Sequence, residues 1–411
     1  MRLASDVRDL AYLVFDCSNG SGQTLKKDES LRAATLADIR SPTAGIVASW
    51  RQPVWMEAPM ATALRFETRG AVGSETELER LLAEGRRFSA EFPFFLANHL
   101  PMILVALHRM GASDERLGEY FVRYRDANRL QEPPASVAPI APANWTRALG
   151  ERAREADMIA FFRGEAERLG SGGAVAAYLP TLLPGLAASA THGLMRLAYG
   201  VMRDDEAEIA TALGYWAATY LELGAATGAK PTTDDPAKVL LDMRGVESYR
   251  HVETERDLLW HFMRAVAAKP EFKPVVDSLA IGPGTFQRAR QASLALYAGT
   301  MDFCALHALT GCHWLRLLRP ATPDFDLALR YFWQAIATLY PKIGFPDLPS
   351  AEMLEEWRRL PCPDWPDIEA AAIACDDEHD LSLTFSAREE WKEYGDRLYQ
   401  VVAARRIRLI P

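Results

Sequence analysis

The chain has 411 residues, 46 Lys and Arg against 55 Asp and Glu, and a formal net charge of −9. That length can bury a large core without disulfides or a structural metal, and the acidic balance argues against nucleic acid as a partner, because phosphate binding needs clustered Lys and Arg. Cys17, Cys304, Cys312, Cys362 and Cys375 form no CxxC pair, which speaks against a zinc ribbon and for a reducing, cytoplasmic setting.

The opening residues place Asp6 and Asp9 before a short apolar run and do not read as a secretory signal. AYLVFDC (11–17), GIVASWRQ (45–52) and ATALRFETR (61–69) are short apolar or alternating runs that read as extended segments. They predict a small N-terminal extension with some β structure, residues 1–80, ahead of a helical domain at 81–411. Ser74 followed by Glu77 fits a capping box for a helix through residues 76–92. Residues 94–110 predict an apolar helix that Pro101 kinks or restarts. Another helix begins near Ser113 and ends near Leu130, and the proline-rich 131–145 is a surface loop.

Further helices are expected at 146–169, 173–202, 205–224, 253–268, 285–318, 323–341, 350–359, 366–376 and about 380–404. Residues 225–237 and 269–284 are turn-rich. The run 173–202 is long enough to span a bilayer, but it carries Pro180, Pro184, Thr191, His192 and Arg196. A buried helix or helix pair fits it better than a membrane span. No period-2 pattern is sustained after residue 80. The expected fold is mainly α, a large multi-helix single domain with a small N-terminal extension of extended segments.

GSGG at 170–173 lacks GxGxxG spacing and follows no expected strand, so no FAD or nicotinamide Rossmann motif is present. NGSGQTLKK at 19–27 lacks phosphate-loop spacing, and GxSxG, HExxH and EF-hand patterns are missing.

The histidines carry more. His251 and His261 sit in a polar stretch, and His108 lies beside Arg109 near a helix end, where a cation suits the dipole. His99 shares a helical face with apolar Phe95, Met102, Ile103 and Ala106, and His192 lies mid-way in the apolar 173–202 run, in line with Arg196 and Tyr199. His307 and His313 point about 120° apart on a straight helix, so they share a site only if Gly311 bends it. His379 closes the acidic run Asp376, Asp377, Glu378. A lone buried histidine is ordinarily a satisfied core residue. Several on separate apolar helices are the raw material of a divalent metal site, with the acidic run as ligand or hydrogen-bond acceptor.

Six stretches occur in order: NHLPMILVALHRMGAS (98–113), THGLMRLAYGV (191–201), ALHALTGCHWLRLL (305–318), LALRYFWQAIATLY (327–340), DDEHDLSLTFSAREEW (376–391) and YGDRLY (394–399). In them the chain resembles the questin oxidase-like family over roughly residues 85–405. The resemblance implies a mostly helical oxygenase that takes O2 and a small aromatic substrate, a polycyclic polyketide such as an anthraquinone. Two mechanisms go with the family. One is a Baeyer–Villiger-type monooxygenation with NADPH; the other is a cleavage at non-haem iron held by histidines and a carboxylated lysine. The missing Rossmann motif favours Fe(II). The implied metal ligands are His99, His192, His307 and His379, with His313 as the reserve catalytic residue. Arg196 and Tyr199, near His192, are expected to hold a substrate oxygen, and Trp314, Phe332 and Trp333 to line a flat aromatic pocket.

One departure stands out: Ser382 occupies the position of the family's lysine, and a serine cannot form a carbamate. It supports a non-catalytic helical ligand-binding protein as one competing expectation; a metal-independent NADPH-dependent monooxygenase of the same family is the other. Residues 1–80 are expected to cap the pocket or to join copies into a homo-oligomer.

Overall fold

Short polar side chains set where the helices of this chain begin. In the computed structural model, which describes residues 77–411, Ser113, Asp205, Asp235, Asp302, Asp324, Ser350 and Asp377 each accept a first-turn backbone N–H. Each thereby satisfies a donor that helix geometry leaves orphaned. The helices so started and their neighbours run in order: α1 (Glu77–Gly85), α2 (Leu100–Met110), α3 (Asp114–Asn128), α4 (Glu155–Leu169), α5 (Ser171–Leu182), α6 (His192–Arg203), α7 (Glu206–Ala218), α8 (Pro236–Asp242) and α9 (Leu259–Ala267). Then come α10 (Val275–Ser278), α11 (Thr285–Thr300), α12 (Phe303–Leu318), α13 (Phe325–Leu339), α14 (Ala351–Arg358), α15 (Trp365–Ile373), α16 (Glu378–Tyr394) and α17 (Leu398–Arg406). The one sheet among the described residues is a hairpin, β1 (Glu91–Phe92) against β2 (Leu96–Ala97), antiparallel with Glu91 opposite Ala97. The fold is mainly α, as expected. The described residues fall in one compact unit, and the extended segments expected at 1–73, with the Ser74 cap, lie outside them.

Several expected boundaries move, each for a physical reason. The helix expected to run to residue 92 stops at Gly85, because Glu155 takes the Ala90 N–H and the Ser89 hydroxyl and draws that segment into the hairpin. The helix expected from residue 94 starts at Leu100 instead. Pro101 falls in its first turn, where a missing N–H breaks no bond. The 173–202 run is a pair of helices: Pro180 lies late in α5, Pro184 follows it, and Ser189, Ala190 and Thr191 carry positive φ of 45°, 56° and 71° before α6 starts. Met301 and Asp302 divide 285–318 into α11 and α12, and Gly395 divides α16 from α17. Helix α8 starts from the Asp235 cap and Pro236, at the end of the turn-rich 225–237.

Gly311 does not break α12, which runs on through it. A Cβ there would stand 2.5 Å from Phe332 Cε2, so the glycine is what lets α13 pack close. Phe332, Trp333 and Trp314 are buried core, with Trp333 donating to the Pro236 carbonyl, and do not form the flat aromatic pocket expected of them. Among the described residues no helix is long and apolar enough to cross a membrane.

Four helices position the site. α2 packs on α6 and α16, and α12 packs on the same two, which closes a ring α2–α6–α12–α16. Gly193 allows α6 to lie against α7, since a Cβ there would meet the Trp216 side chain at 2.9 Å.

Candidate active site

Each helix of that ring brings one histidine, and each brings it near its N-terminal end. His99 is the N-cap of α2, His192 is the first residue of α6, His307 lies in the second turn of α12, and His379 is the second residue of α16. The rings meet. Centroid separations are 4.6 Å for His99–His192, 5.2 Å for His99–His379, 5.7 Å for His192–His307 and 6.4 Å for His307–His379.

The backbone fixes how three of these rings face. Nδ1 of His99 lies 2.9 Å from the Ala97 carbonyl, Nδ1 of His192 2.5 Å from the Ser189 carbonyl, and Nδ1 of His307 3.0 Å from the Phe303 carbonyl. A carbonyl oxygen carries no proton, so the hydrogen in each contact sits on Nδ1 and the Nε2 lone pair is left free. His379 turns Nδ1 towards Asp377 Oδ1 at 3.5 Å. The His99 N–H donates to Tyr124 OH at 3.0 Å, which anchors the start of α2.

Two free lone pairs then face each other: Nε2 of His99 and Nε2 of His192 are 3.0 Å apart. Neutral rings with Nδ1–H have no hydrogen to place between them. Burial, with the charges of His192 and His379, holds His99 well below the ordinary imidazole range. Burial likewise takes His192 down to about 4 and His307 down to about 3. A shared proton is therefore disfavoured, and a shared cation would resolve the contact. Two nitrogens bound to one ion at about 2.1 Å and roughly 90° apart stand about 3.0 Å from each other. The donor set fits a divalent metal held by neutral imidazoles, each oriented by an acceptor behind it. Among the described residues no group of three or more His, Cys, Asp or Glu side chains is already placed to hold a metal ion.

Two acids stand beside the rings. Glu378 Oε1 is 3.9 Å from His99 Nδ1, and burial raises its carboxyl. Burial works against the Asp377 carboxylate, but hydrogen bonding from His379 holds it well below the usual range. Phe303 gives the cluster an aromatic wall at the surface. It is 45% exposed, with its ring edge-on to His379 at 4.8 Å and to His307 at 5.1 Å.

The model of one protein family, described as questin oxidase-like, matches residues 96–384, more than half of the chain. The chain belongs to the questin oxidase-like family. No curated protein matches it. The matched span contains all four clustered histidines, and the family implies an oxygenase that acts on anthraquinone-type substrates.

The other residues singled out in this questin oxidase-like chain lie elsewhere. Arg196, one turn beyond His192, is buried and paired to Glu208 of α7 at 2.7 and 3.4 Å. Tyr199 is buried, with its hydroxyl beside that of Ser382. His313 faces away from His307, as the unbroken helix requires. Its Nδ1 lies 2.9 Å from Glu390 Oε1, which Arg316 also binds at 2.7 Å. Asp376 is held by Arg116 and Arg123.

Sequence reasoning missed Ser189, Tyr124 and Phe303. The one legible signal was the position of Phe303 four residues before His307, which places it one turn below on the same helix face.

Proposed function

We propose that this chain is an oxygenase that opens a ring of a polycyclic aromatic polyketide such as an anthraquinone, at a ferrous ion held by His99, His192, His307 and His379. The observation that carries the reading is the 3.0 Å approach of two Nε2 lone pairs whose Nδ1 partners are both backbone carbonyls. A bound ferrous ion would supply positions for O2 and a substrate oxygen, with one-electron chemistry that no side chain here provides.

The chain's own groups do the rest. Helix N-termini carry partial positive charge, so the starts of α2, α6 and α16, with α12 a turn further on, favour an oxyanion at the site. They support a phenolate or enolate of the substrate as charge develops there. Phe303 offers the substrate a flat face beside His307 and His379. Glu378, its carboxyl raised by burial, can hold a proton beside His99. The buried rings of His99, His192 and His307 keep water from the inner side.

Elemental analysis of protein purified without chelators, and again after anaerobic iron loading, tests the reading. About one equivalent of iron is expected, lost in His192→Ala. Iron far below one equivalent, unchanged by loading and by the substitution, overturns it.

Ser382 favours a second reading, ligand binding without turnover. It is buried one turn beyond His379 and brings no charge to the set. Tight aromatic binding with no product under iron, oxygen and reductant supports that reading. Oxygen-dependent NADPH consumption by metal-stripped protein supports the NADPH-dependent monooxygenase instead.

A further inference from the structure

The two rings that meet at Nε2 are both held by the β1–β2 hairpin. His99 takes its acceptor from β2 directly, since the Ala97 carbonyl stands 2.9 Å from its Nδ1. His192 takes its acceptor from the turn before α6, the Ser189 carbonyl, and that turn is tied to β1. Glu91 Oε1 accepts from the Ser189 hydroxyl at 2.7 Å. Glu91 and Ala97 stand opposite each other in the antiparallel register. The links therefore close a circuit. It runs from His99 through Ala97, Glu91 and Ser189 to His192, and returns across the 3.0 Å approach of the two Nε2 atoms.

Glu91 has little freedom within that circuit. Its side chain is 9% exposed, and Arg152 binds it at 2.7 and 3.4 Å. Arg152 in turn stacks over Trp260 at 4.3 Å and Phe95 at 5.4 Å. The carboxylate cannot swing away from Ser189 without disturbing an ion pair that is largely shielded from water. The Tyr215 hydroxyl lies beside the same Ser189 hydroxyl and backs it from another side.

The base of the hairpin is fastened as well. Glu155 takes the Ser89 hydroxyl and the Ala90 N–H, and the Asn98 N–H donates to the Ala90 carbonyl at 2.8 Å. At the tip, Phe94 and Phe95 have φ of 73° and 63°, a left-handed conformation unusual for bulky residues. Backbone of that kind persists where its surroundings over-determine it.

We propose that the hairpin is a single clamp on both rings, and that Glu91 is a positioning residue that acts through Ser189 on the tautomer and aim of His192. The consequence for iron affinity rests on the reading above, and the tautomer does not.

The test is nitrogen-15 NMR of the metal-free full chain, labelled at its eight histidines and held at neutral pH. The His192 signal is identified by its loss in His192→Ala. The parent protein is expected to show His192 as one tautomer, with the hydrogen on Nδ1. Ser189→Ala removes the hydroxyl and leaves the Glu91–Arg152 pair in place. It and Glu91→Ala should each raise the Nε2–H form to about a tenth or more, the scale of one weakened hydrogen bond. The double variant should be no more mixed than the single ones, because both cut the same link. His307, held by the Phe303 carbonyl of its own helix, should keep its tautomer throughout, which a general loosening of the fold would not allow. A parent protein that is itself mixed, one tautomer in both variants, additive mixing, or equal mixing at His307 overturns the proposal. Anaerobic iron titration separates the two readings. Mixing in the variants of a protein that never binds iron leaves the clamp standing and sinks the iron centre. Iron bound by the parent protein, with His192 unmixed in both variants, does the reverse.

Discussion

His99 and His192 place their Nε2 atoms 3.0 Å apart while each commits Nδ1 to a backbone carbonyl, Ala97 for one and Ser189 for the other. The contact is repulsive between neutral rings and becomes favourable when both bind one cation. On the proposed reading, a divalent ion would stabilise the folded chain by mass action, by about 2.7 kcal/mol at a hundredfold excess over its dissociation constant. Anaerobic Fe(II) is expected to raise the unfolding temperature by several degrees in the parent protein and to leave His192→Ala where it was. An equal shift in both would place the ion elsewhere.

Metal-free protein should lose stability as the pH falls. Burial holds folded His99, His192 and His307 below the ordinary 6.5, His192 at about 4 and His307 at about 3. Below 6.5 the unfolded chain takes up protons that the folded chain refuses, so the balance tips towards unfolding. From pH 7 to pH 4, His192 alone removes about 3 kcal/mol. His379, in which burial is outweighed by Asp377 and Glu378, has the opposite sign: its stabilisation is complete below 6.5 and fades as pH rises through its folded value. Denaturant titrations at pH 7, 5.5 and 4.5 should show a falling midpoint, with a shallower fall in His192→Ala. Parallel slopes would refute the assignment.

His313 belongs to a different structure from the four rings. It and Glu390 are both fully buried, and Glu390 also holds Arg316. Breaking such a pair leaves a buried charge without its partner, which costs about 3 kcal/mol or more. Glu390→Gln is expected to lower stability on that scale while iron content per folded molecule stays at the parent value. His313→Gln should likewise keep its iron. Loss of iron in either variant would return His313 to the ligand set.

The helical class was legible because long apolar runs with capping residues dominate the chain, and the four histidines were legible through the motifs that contain them. Where those histidines sit on their helices was not. The run 173–202 is apolar from end to end, so hydropathy holds no signal that α6 begins at His192; the start is made by three consecutive residues at positive φ. Asp302 is a good helix cap, but it lies inside a run that reads as one helix. Arg196 looked available for substrate because its partner, Glu208, is supplied across a turn by α7. The ties of the hairpin were invisible for a similar reason: Glu91 meets Arg152, and Ser89 meets Glu155, across more than sixty residues of chain.

That strained turn yields the last prediction. Ser189, Ala190 and Thr191 hold left-handed conformations that cost non-glycine residues about 1–2 kcal/mol each. The strain persists because it aims the Ser189 carbonyl at His192 and the Ser189 hydroxyl at Glu91. In Ala190→Gly the folded state loses strain and the unfolded state gains entropy, two effects of opposite sign and similar size. Global stability should then change by less than about 1 kcal/mol. Iron affinity should fall several-fold, because a glycine in the middle of the turn lets His192 wander from its partner ring. Chelator competition against the parent protein measures it. Unchanged affinity would mean that the turn serves the fold alone and that α6 by itself fixes His192.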